Sequence, residues 1–281
     1  MKLELDTPAE KTWCRGCGDF GILTAVKRAI QELVDSGETR HENIVIASGI
    51  GCHNKIVDYI NVNSFDALHG RVPPIISGMK IANPNLKVIG FAGDGDAYNE
   101  GISHLVYSAK RNIDITMIIH DNEVFALTTG QATATSSLGF RTKAMPKGNI
   151  EVPFNPIHLM LASGATFVAR GFSFDIKHLA SLIKEAVKHH GFSFIDVLQP
   201  CKTYHDTTQF LRERVYYLNE KGHDTEDFRA AWERADEKER IPIGIFYQIE
   251  RETFEDQLLK GKIPAYEKET PSINHVVEEY I

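Results

Sequence analysis

The sequence predicts an α/β fold: a mostly parallel sheet with helices on both faces. Three observations carry this. Apolar runs of strand length alternate with amphipathic stretches of helical spacing. The runs are continuously apolar, as in strands covered on both sides. Glycine- or Asn-containing polar turns follow several of them directly, where open α/β sheets place their ligands.

The elements follow in order. Residues 19–36 have helical spacing, with Phe20, Leu23, Val26, Ile30 and Leu33 apolar and Gly37 as the stop. Residues 43–47 are an apolar strand. Residues 71–82 read as a helix with Pro73 and Pro74 in its first turn, broken by Asn83-Pro84. Residues 87–92 and 115–120 are two more strands, separated by an amphipathic helix over 97–111. Helix 154–163, strand 166–169 and helix 175–189 lead to a strand over 192–198. Beyond about residue 203 the character changes. Residues 207–235 are polar and helical, 241–247 form a short apolar island, and the end is charged, with Pro264 and Pro271. This divides the chain into a domain over 1–205 and a C-terminal extension over 206–281, packed on the domain's edge or on a partner.

Composition excludes several classes. A chain of 281 residues holds one large domain with an extension. A net charge of −7 argues against a nucleic-acid surface. No run reaches the ~18 apolar residues of a membrane span. The start, Met1-Lys2-Leu3-Glu4-Leu5-Asp6, lacks an apolar signal region, so a cytoplasmic protein is expected. No internal repeat or low-complexity tract appears.

Gly93-Asp94-Gly95-Asp96 closes the strand 87–92, and Asp121-Asn122-Glu123-Val124-Phe125 closes the strand 115–120. The glycines turn the chain sharply and let backbone N–H groups approach an anion. Two strands ending side by side can present a carboxylate, an amide oxygen and a backbone carbonyl to one hard cation. Mg²⁺ takes such ligands, with phosphate and water completing its shell.

Four cysteines stand in suggestive contexts. Cys14 and Cys17 form a C-x-x-C in Trp13-Cys14-Arg15-Gly16-Cys17-Gly18. Cys52 follows Gly49-Ile50-Gly51, and Cys201 follows Gln199-Pro200. Cys52 and Cys201 lie just past strand ends, on the edge that carries Asp94. Spacing alone leaves open an iron–sulfur cluster, a structural zinc site, a redox C-x-x-C and free thiols. A disulfide framework does not fit a chain without a signal region.

Asp94 followed 28 residues later by Asn122 resembles the thiamine-diphosphate motif. That resemblance makes Asp94, Asn122 and the Val124 carbonyl the Mg²⁺ ligands. The motifs together, W-C-x-G-C-G, G-I-G-C, G-D-G-D, the run from Asp121 to Gln131, and Q-P-C, resemble in the same order the β subunit of the 2-oxoacid:ferredoxin oxidoreductases. The resemblance covers roughly the first 205 residues. It implies a thiamine-diphosphate-binding fold, and a [4Fe–4S] cluster held by Cys14, Cys17, Cys52 and Cys201. It implies CoA-dependent oxidative decarboxylation of a 2-oxoacid, with ferredoxin as acceptor. It also implies cofactor contacts from Gly51, His69, Gly70, Arg71, Gly93, Gly95, Asp96, Leu127 and Thr128.

Lys55, three residues after Cys52, is the candidate partner for a substrate carboxylate; the alternative is a solvated lysine at a helix start. His53 is a candidate for the substrate pocket, although a lone His is more often structural. Pyruvate enzymes of the superfamily commonly carry Asn at the position of Leu127, so 2-oxoglutarate or a broad range is favoured. Residues 133–137, rich in hydroxyls, read equally as ligand contacts or as a polar loop. The Glu that activates the aminopyrimidine has no place in this chain. It belongs to a partner, α or α with γ and δ, and the chain alone should be inactive. Two other readings remain: a subunit of a non-oxidative 2-oxoacid decarboxylase, and a zinc-stabilised binding protein without catalysis.

Overall fold

The computed structural model of the chain describes residues 2–268 and 277–278. Pro271 and most of the charged end lie outside the described residues. Strands β1 (Ile44–Ser48), β2 (Asn63–Asp66), β3 (Lys87–Gly93), β4 (Thr116–Asp121), β5 (Phe167–Phe172), β6 (Ser193–Leu198), β7 (Val215–Tyr217) and β8 (Ile241–Gln248) form one sheet. Their order is β2-β1-β3-β4-β6-β5-β8-β7. The strands from β2 to β5 in that order are all parallel. β8 runs antiparallel to β5, and β7 runs with β8.

The helices are α1 (Asp19–Asp35), α2 (Ile56–Tyr59), α3 (Val72–Ala82), α4 (Ile102–Arg111), α5 (Pro156–Ala162), α6 (Ile176–Lys188), α7 (Thr208–Arg214), α8 (Phe228–Ala235) and α9 (Phe254–Leu259). α1 and α6 cover one face, packing Ile22, Val26, Ile30, Leu179 and Ile183 against Phe91, Ile118 and Ile195. α3, α4 and α5 cover the other, with Val72, Ile76, Leu105 and Met160 against Val88, Met117 and Phe194. Val88 and Ile89 sit on opposite faces because strand side chains alternate. That explains the continuous apolar run in β3. Each of these buried side chains contributes about 1.5–3 kcal/mol.

Three segments depart from the sequence expectation. The helix expected over 97–111 is split: a π-helical turn spans Gly95–Glu100, and the α-helix starts only at Ile102. The break falls where two backbone segments pass closely: a Cβ on Gly101 would meet the Gly70 carbonyl at 2.8 Å. The edge strand β2 has no apolar pattern, because all four of its residues are exposed. The polar stretch 207–235 is not continuously helical. Val215–Tyr217, a β-branched and aromatic run, pairs with the start of β8 instead. The apolar island thereby becomes β8 and extends the main sheet.

The topology fixes the ligand edge. β1 is followed by β2 on one side and, through α3, by β3 on the other. The crevice between β1 and β3 is the switch point where such sheets bind ligands, at the carboxyl ends of the strands.

Candidate active site

The loops that carry the sequence motifs all leave this one edge. Gly49 to Cys52 follow β1, His69 to Arg71 follow β2, Asp94 follows β3, Asn122 follows β4, and Gln199 to Cys201 follow β6. In register, Gly93 pairs with His120 and Asp121 with Leu198, so three chain ends stand side by side.

Asp94 is buried at the end of β3. Its Oδ2 accepts hydrogen bonds from Thr133 Oγ1 at 2.5 Å and Thr135 Oγ1 at 2.9 Å. Burial pushes its carboxyl up to about 6, while the two hydroxyls pull it down. Asn122 turns its Oδ1 to the Val124 N–H at 3.0 Å and gives its Nδ2 hydrogen to Gln199 Oε1 at 2.9 Å. Asp94, Asn122 and Val124 line one cleft with Gly51, His53, His69, Gly93, Gly95, Asp96, Phe125, Leu127 and Thr128. The three residues that line this cleft carry a carboxylate, an amide oxygen and a backbone carbonyl, the donor types a hard cation takes. The positive φ of Glu123, 60°, turns the chain between Asn122 and Val124 so that both reach it.

Asp96 clamps the loops around this cleft. Its Oδ1 accepts from Gly70 N at 2.7 Å and lies 2.5 Å from His69 Nδ1. Burial raises its carboxyl, but His53, Gly70 and His69 outweigh burial and hold it below the usual range. Gly49 must be glycine here, because a Cβ would stand 1.8 Å from Asp96 Oδ2. His53 is buried, and its Nε2 accepts from Gly93 N at 3.1 Å, which anchors the end of β3. His69 lines the cleft, half-exposed. Arg71 donates to the Glu100 carbonyl at 3.0 Å.

A second cavity adjoins the first. Cys14, Cys17, Cys52 and Cys201 all line it, with Asp19, Lys55, Gln199 and Tyr204. Trp13 fixes the C-x-x-C loop by donating its Nε1–H to the Cys52 carbonyl at 2.6 Å and packing edge-on to Phe20 and Tyr59. Burial, then the Asp19 carboxylate, push the Cys52 thiol up to about 11. The same two causes raise Cys17 further. Thiols raised in this way, as at Cys17 and Cys52, become thiolates only beside a compensating cation. Among the described residues no three His, Cys, Asp or Glu side chains converge on a single ion-sized point. The four cysteines lining this one cavity are a thiolate donor set, and an iron–sulfur cluster fits it. Cys52, Asn122, Ala126 and Leu127 line both cavities and form the wall between them. Lys55 lies on the cysteine side, its Nζ 3.4 Å from the Thr12 carbonyl.

The segment 133–137, open between ligand contacts and a polar loop in the sequence, makes internal contacts, while the roles of Asp19, His120 and the Gln199 side chain had no sequence signal. Thr133, Thr135 and Ser136 are buried and hold Asp94 and the Glu123 carbonyl, so this segment is a clamp and not a solvated loop. The only signal was hydroxyl density. Asp19 and His120 form a buried pair at 2.7 Å, and His120 Nε2 is left without a partner. Gln199 donates its Nε2–H to Cys17 Sγ at 3.3 Å.

Residues 49–197 match the thiamine pyrophosphate enzyme C-terminal TPP-binding domain. Residues 201–262 match the C-terminal region of the pyruvate ferredoxin oxidoreductase beta subunit. The 2-oxoacid:ferredoxin oxidoreductase subunit beta of Saccharolobus solfataricus is 43% identical over 95% of this chain and 90% of its own length. The chain is a β subunit of the 2-oxoacid:ferredoxin oxidoreductase family. The 2-oxoglutarate synthase subunit KorB of Archaeoglobus fulgidus is 33% identical, covering 88% of each chain. A solved 2-oxoglutarate:ferredoxin oxidoreductase from Magnetococcus marinus superposes with a TM-score of 0.88. It is 33% identical and covers 99% of this β subunit and 95% of its own chain. That structure holds 2-oxoglutarate, coenzyme A and succinyl-CoA. The β subunit thus carries a thiamine-diphosphate-binding domain, and the terminal region shared with the pyruvate enzymes follows it. No helix among its described residues is long and apolar enough to cross a membrane.

Proposed function

We propose that this β subunit, with a partner α subunit, oxidatively decarboxylates a 2-oxoacid, 2-oxoglutarate by preference, to an acyl-CoA. The balanced reaction takes one 2-oxoacid, one CoA and two oxidised ferredoxins. It yields acyl-CoA, CO₂, a proton and two reduced ferredoxins. The observation that carries this reading is the shared wall. A cleft with a Mg²⁺–diphosphate donor set and a cavity lined by four cysteines meet at Cys52, Asn122, Ala126 and Leu127.

Asp94, Asn122 and the Val124 carbonyl would hold Mg²⁺ against the diphosphate, and the N–H groups after β3 would meet its oxygens. Thiamine diphosphate, when bound, supplies the carbanion chemistry at the 2-oxo carbon. Cys14, Cys17, Cys52 and Cys201 would hold a [4Fe–4S] cluster on the other side of that wall, and such a cluster would supply one-electron redox chemistry there. Lys55 and Leu127 border that wall, where a substrate side chain would project, and Lys55 offers an ammonium to a carboxylate. The relatives' names support 2-oxoglutarate or a broad 2-oxoacid range. The Glu that activates the aminopyrimidine would come from the α subunit. Reduced thiols and an acidic surface suit the cytoplasm.

The test is anaerobic co-purification with the α subunit. Thiamine diphosphate, about four iron and four sulfide per β chain, and CoA-dependent ferredoxin reduction on 2-oxoglutarate are expected. Zinc in place of iron, or decarboxylation that needs neither CoA nor ferredoxin, would sink the reading.

A further inference from the structure

The two cofactor cavities are joined by one side chain. Gln199 is 1% exposed and sits just past β6. Its Oε1 accepts from Asn122 Nδ2 at 2.9 Å. Its two Nε2 hydrogens serve Cys17 Sγ and the Pro200 carbonyl, both at 3.3 Å. Its backbone N–H is fixed on the Asp121 carbonyl at 2.8 Å.

The direction of this chain of bonds is fixed from one end. The Val124 N–H donates to Asn122 Oδ1, so the Asn122 nitrogen must face Gln199. Gln199 must then present its oxygen to Asn122 and its nitrogen to the sulfur. The C-x-x-C loop is pressed onto Gln199, since a Cβ on Gly18 would stand 2.8 Å from Gln199 Cγ. Neither end can rotate without breaking the other. A donor to a cluster sulfur raises the cluster's potential by stabilising the more negative, reduced state. An acceptor on the amide nitrogen of Asn122 polarises that amide and strengthens its oxygen as a ligand. A cation on Asn122 Oδ1 draws density from the amide, so Nδ2–H binds Gln199 more firmly and the whole relay stiffens.

We propose that Gln199 is a positioning residue that couples the two sites, so that Mg²⁺–thiamine diphosphate bound at Asn122 raises the reduction potential of the cluster at Cys17. This rests on the proposed cofactor assignments. Coupling is reciprocal, so reduction of the cluster tightens Mg²⁺–thiamine diphosphate binding by the same factor.

The experiment uses the complete anaerobic complex. The cluster's midpoint potential is measured by EPR-monitored titration with and without Mg²⁺–thiamine diphosphate. The wild type should reduce more readily with the cofactor, by about tenfold, or ~59 mV for one electron. Gln199→Leu should hold its iron, show a lower potential than wild type, and lose the cofactor's effect. Gln199→Glu keeps the shape and the acceptor but not the donor, so it should lower the potential further. If the leucine variant loses iron, the glutamate variant and the wild-type pair of titrations decide. Equal potentials in the wild type with and without the cofactor overturn the coupling, as does a potential that neither variant moves. Absence of iron or of thiamine diphosphate from the wild type would instead overturn the cofactor assignments themselves.

Discussion

Thr133 Oγ1 stands 2.5 Å from Asp94 Oδ2, and both residues are buried. This bond holds one carboxylate oxygen still and leaves the other for a cation. Thr135 adds a second hydroxyl at 2.9 Å, but it also lies 2.8 Å from Asp121 Oδ1. It has one proton to give and serves one carboxylate at a time. Burial, then Asp196 and Asp94, raise Asp121 well above the carboxylate range.

Thr133→Val keeps the shape and removes the hydroxyl. A hydrogen bond to a charged group is worth about 1.5–3 kcal/mol, so Mg²⁺–thiamine diphosphate affinity should fall at least tenfold. The carboxyl of Asp94, already raised, should rise further, and binding should weaken at a higher pH than in wild type. Asp94→Ala and Asn122→Ala should abolish retention with the apo fold intact. Calorimetric titration between pH 5.5 and 8 decides. Unchanged affinity in Thr133→Val would show that the clamp does not position Asp94.

The cysteines should respond alike in iron and differently in stability. Replacing any of Cys14, Cys17, Cys52 or Cys201 by Ser should strip or convert the cluster, since hydroxyls ligate iron poorly. Cys14 is exposed, while Cys17 and Cys201 are buried. Cys14→Ser should therefore leave the apoprotein's melting temperature unchanged, and Cys17→Ser should lower it. Full iron retention in any one variant removes that cysteine from the ligand set.

What the sequence made legible was what repeats a general pattern. The strands β3, β4 and β6 read as continuous apolar runs because they are buried on both faces, and their closing motifs fall where such strands end. The split at Gly95–Glu100 was illegible because its close neighbours lie in distant chain. A Cβ on Gly95 would meet the Phe125 ring at 2.2 Å, and Gly101 meets Gly70. The clamp from Thr133 to Ser136 was only half legible for the same reason. Hydroxyls on a loop carry no periodicity, and their burial is decided by Asp94 and Glu123. β2 has no signal at all, being exposed and defined only by its pairing with β1.

Far from the site, His190, just past α6, ties the turn before β4 to α9. Its Nε2 lies 2.7 Å from Asp256 Oδ2 and its Nδ1 3.6 Å from Asp114 Oδ2. Asp114, with Asp256, raises the imidazole to about 9 against the cost of partial burial. A raised folded pKa means stability fully present below about 6.5 and lost as pH climbs through about 9. Asp114 is the mirror case. Burial raises it, but His190 and the Lys80 ammonium at 2.6 Å outweigh this and bring it to about 2. Its contribution is present above about 3.8 and lost as pH falls toward 2. Urea midpoints at pH 6.0 and 9.5 should differ more in wild type than in His190→Gln. The ring is half-exposed, so screening limits the difference to about 1 kcal/mol. Equal pH dependence in the two proteins would remove His190 from the account.

Lys55 is the sharpest test of substrate choice. Its ammonium borders the cysteine cavity beside Leu127, and its contact with the Thr12 carbonyl at 3.4 Å is long enough to exchange for a carboxylate. Lys55→Ala should weaken use of the 2-oxoacid far more than of CoA, because a desolvated carboxylate is left without its partner. The comparison between substrates separates two geometries. If the ammonium holds the distal carboxylate of 2-oxoglutarate, KM for that substrate should rise about tenfold or more while pyruvate use changes little. If it holds the carboxylate common to all 2-oxoacids, every substrate should suffer together. Lys55→Arg keeps the charge but replaces a point donor with a wide planar fork, so it should rescue only in part. Steady-state kinetics of the reconstituted complex on 2-oxoglutarate, pyruvate and 2-oxobutyrate would show which holds. Unchanged constants for all three would make Lys55 a solvated lysine at the start of α2.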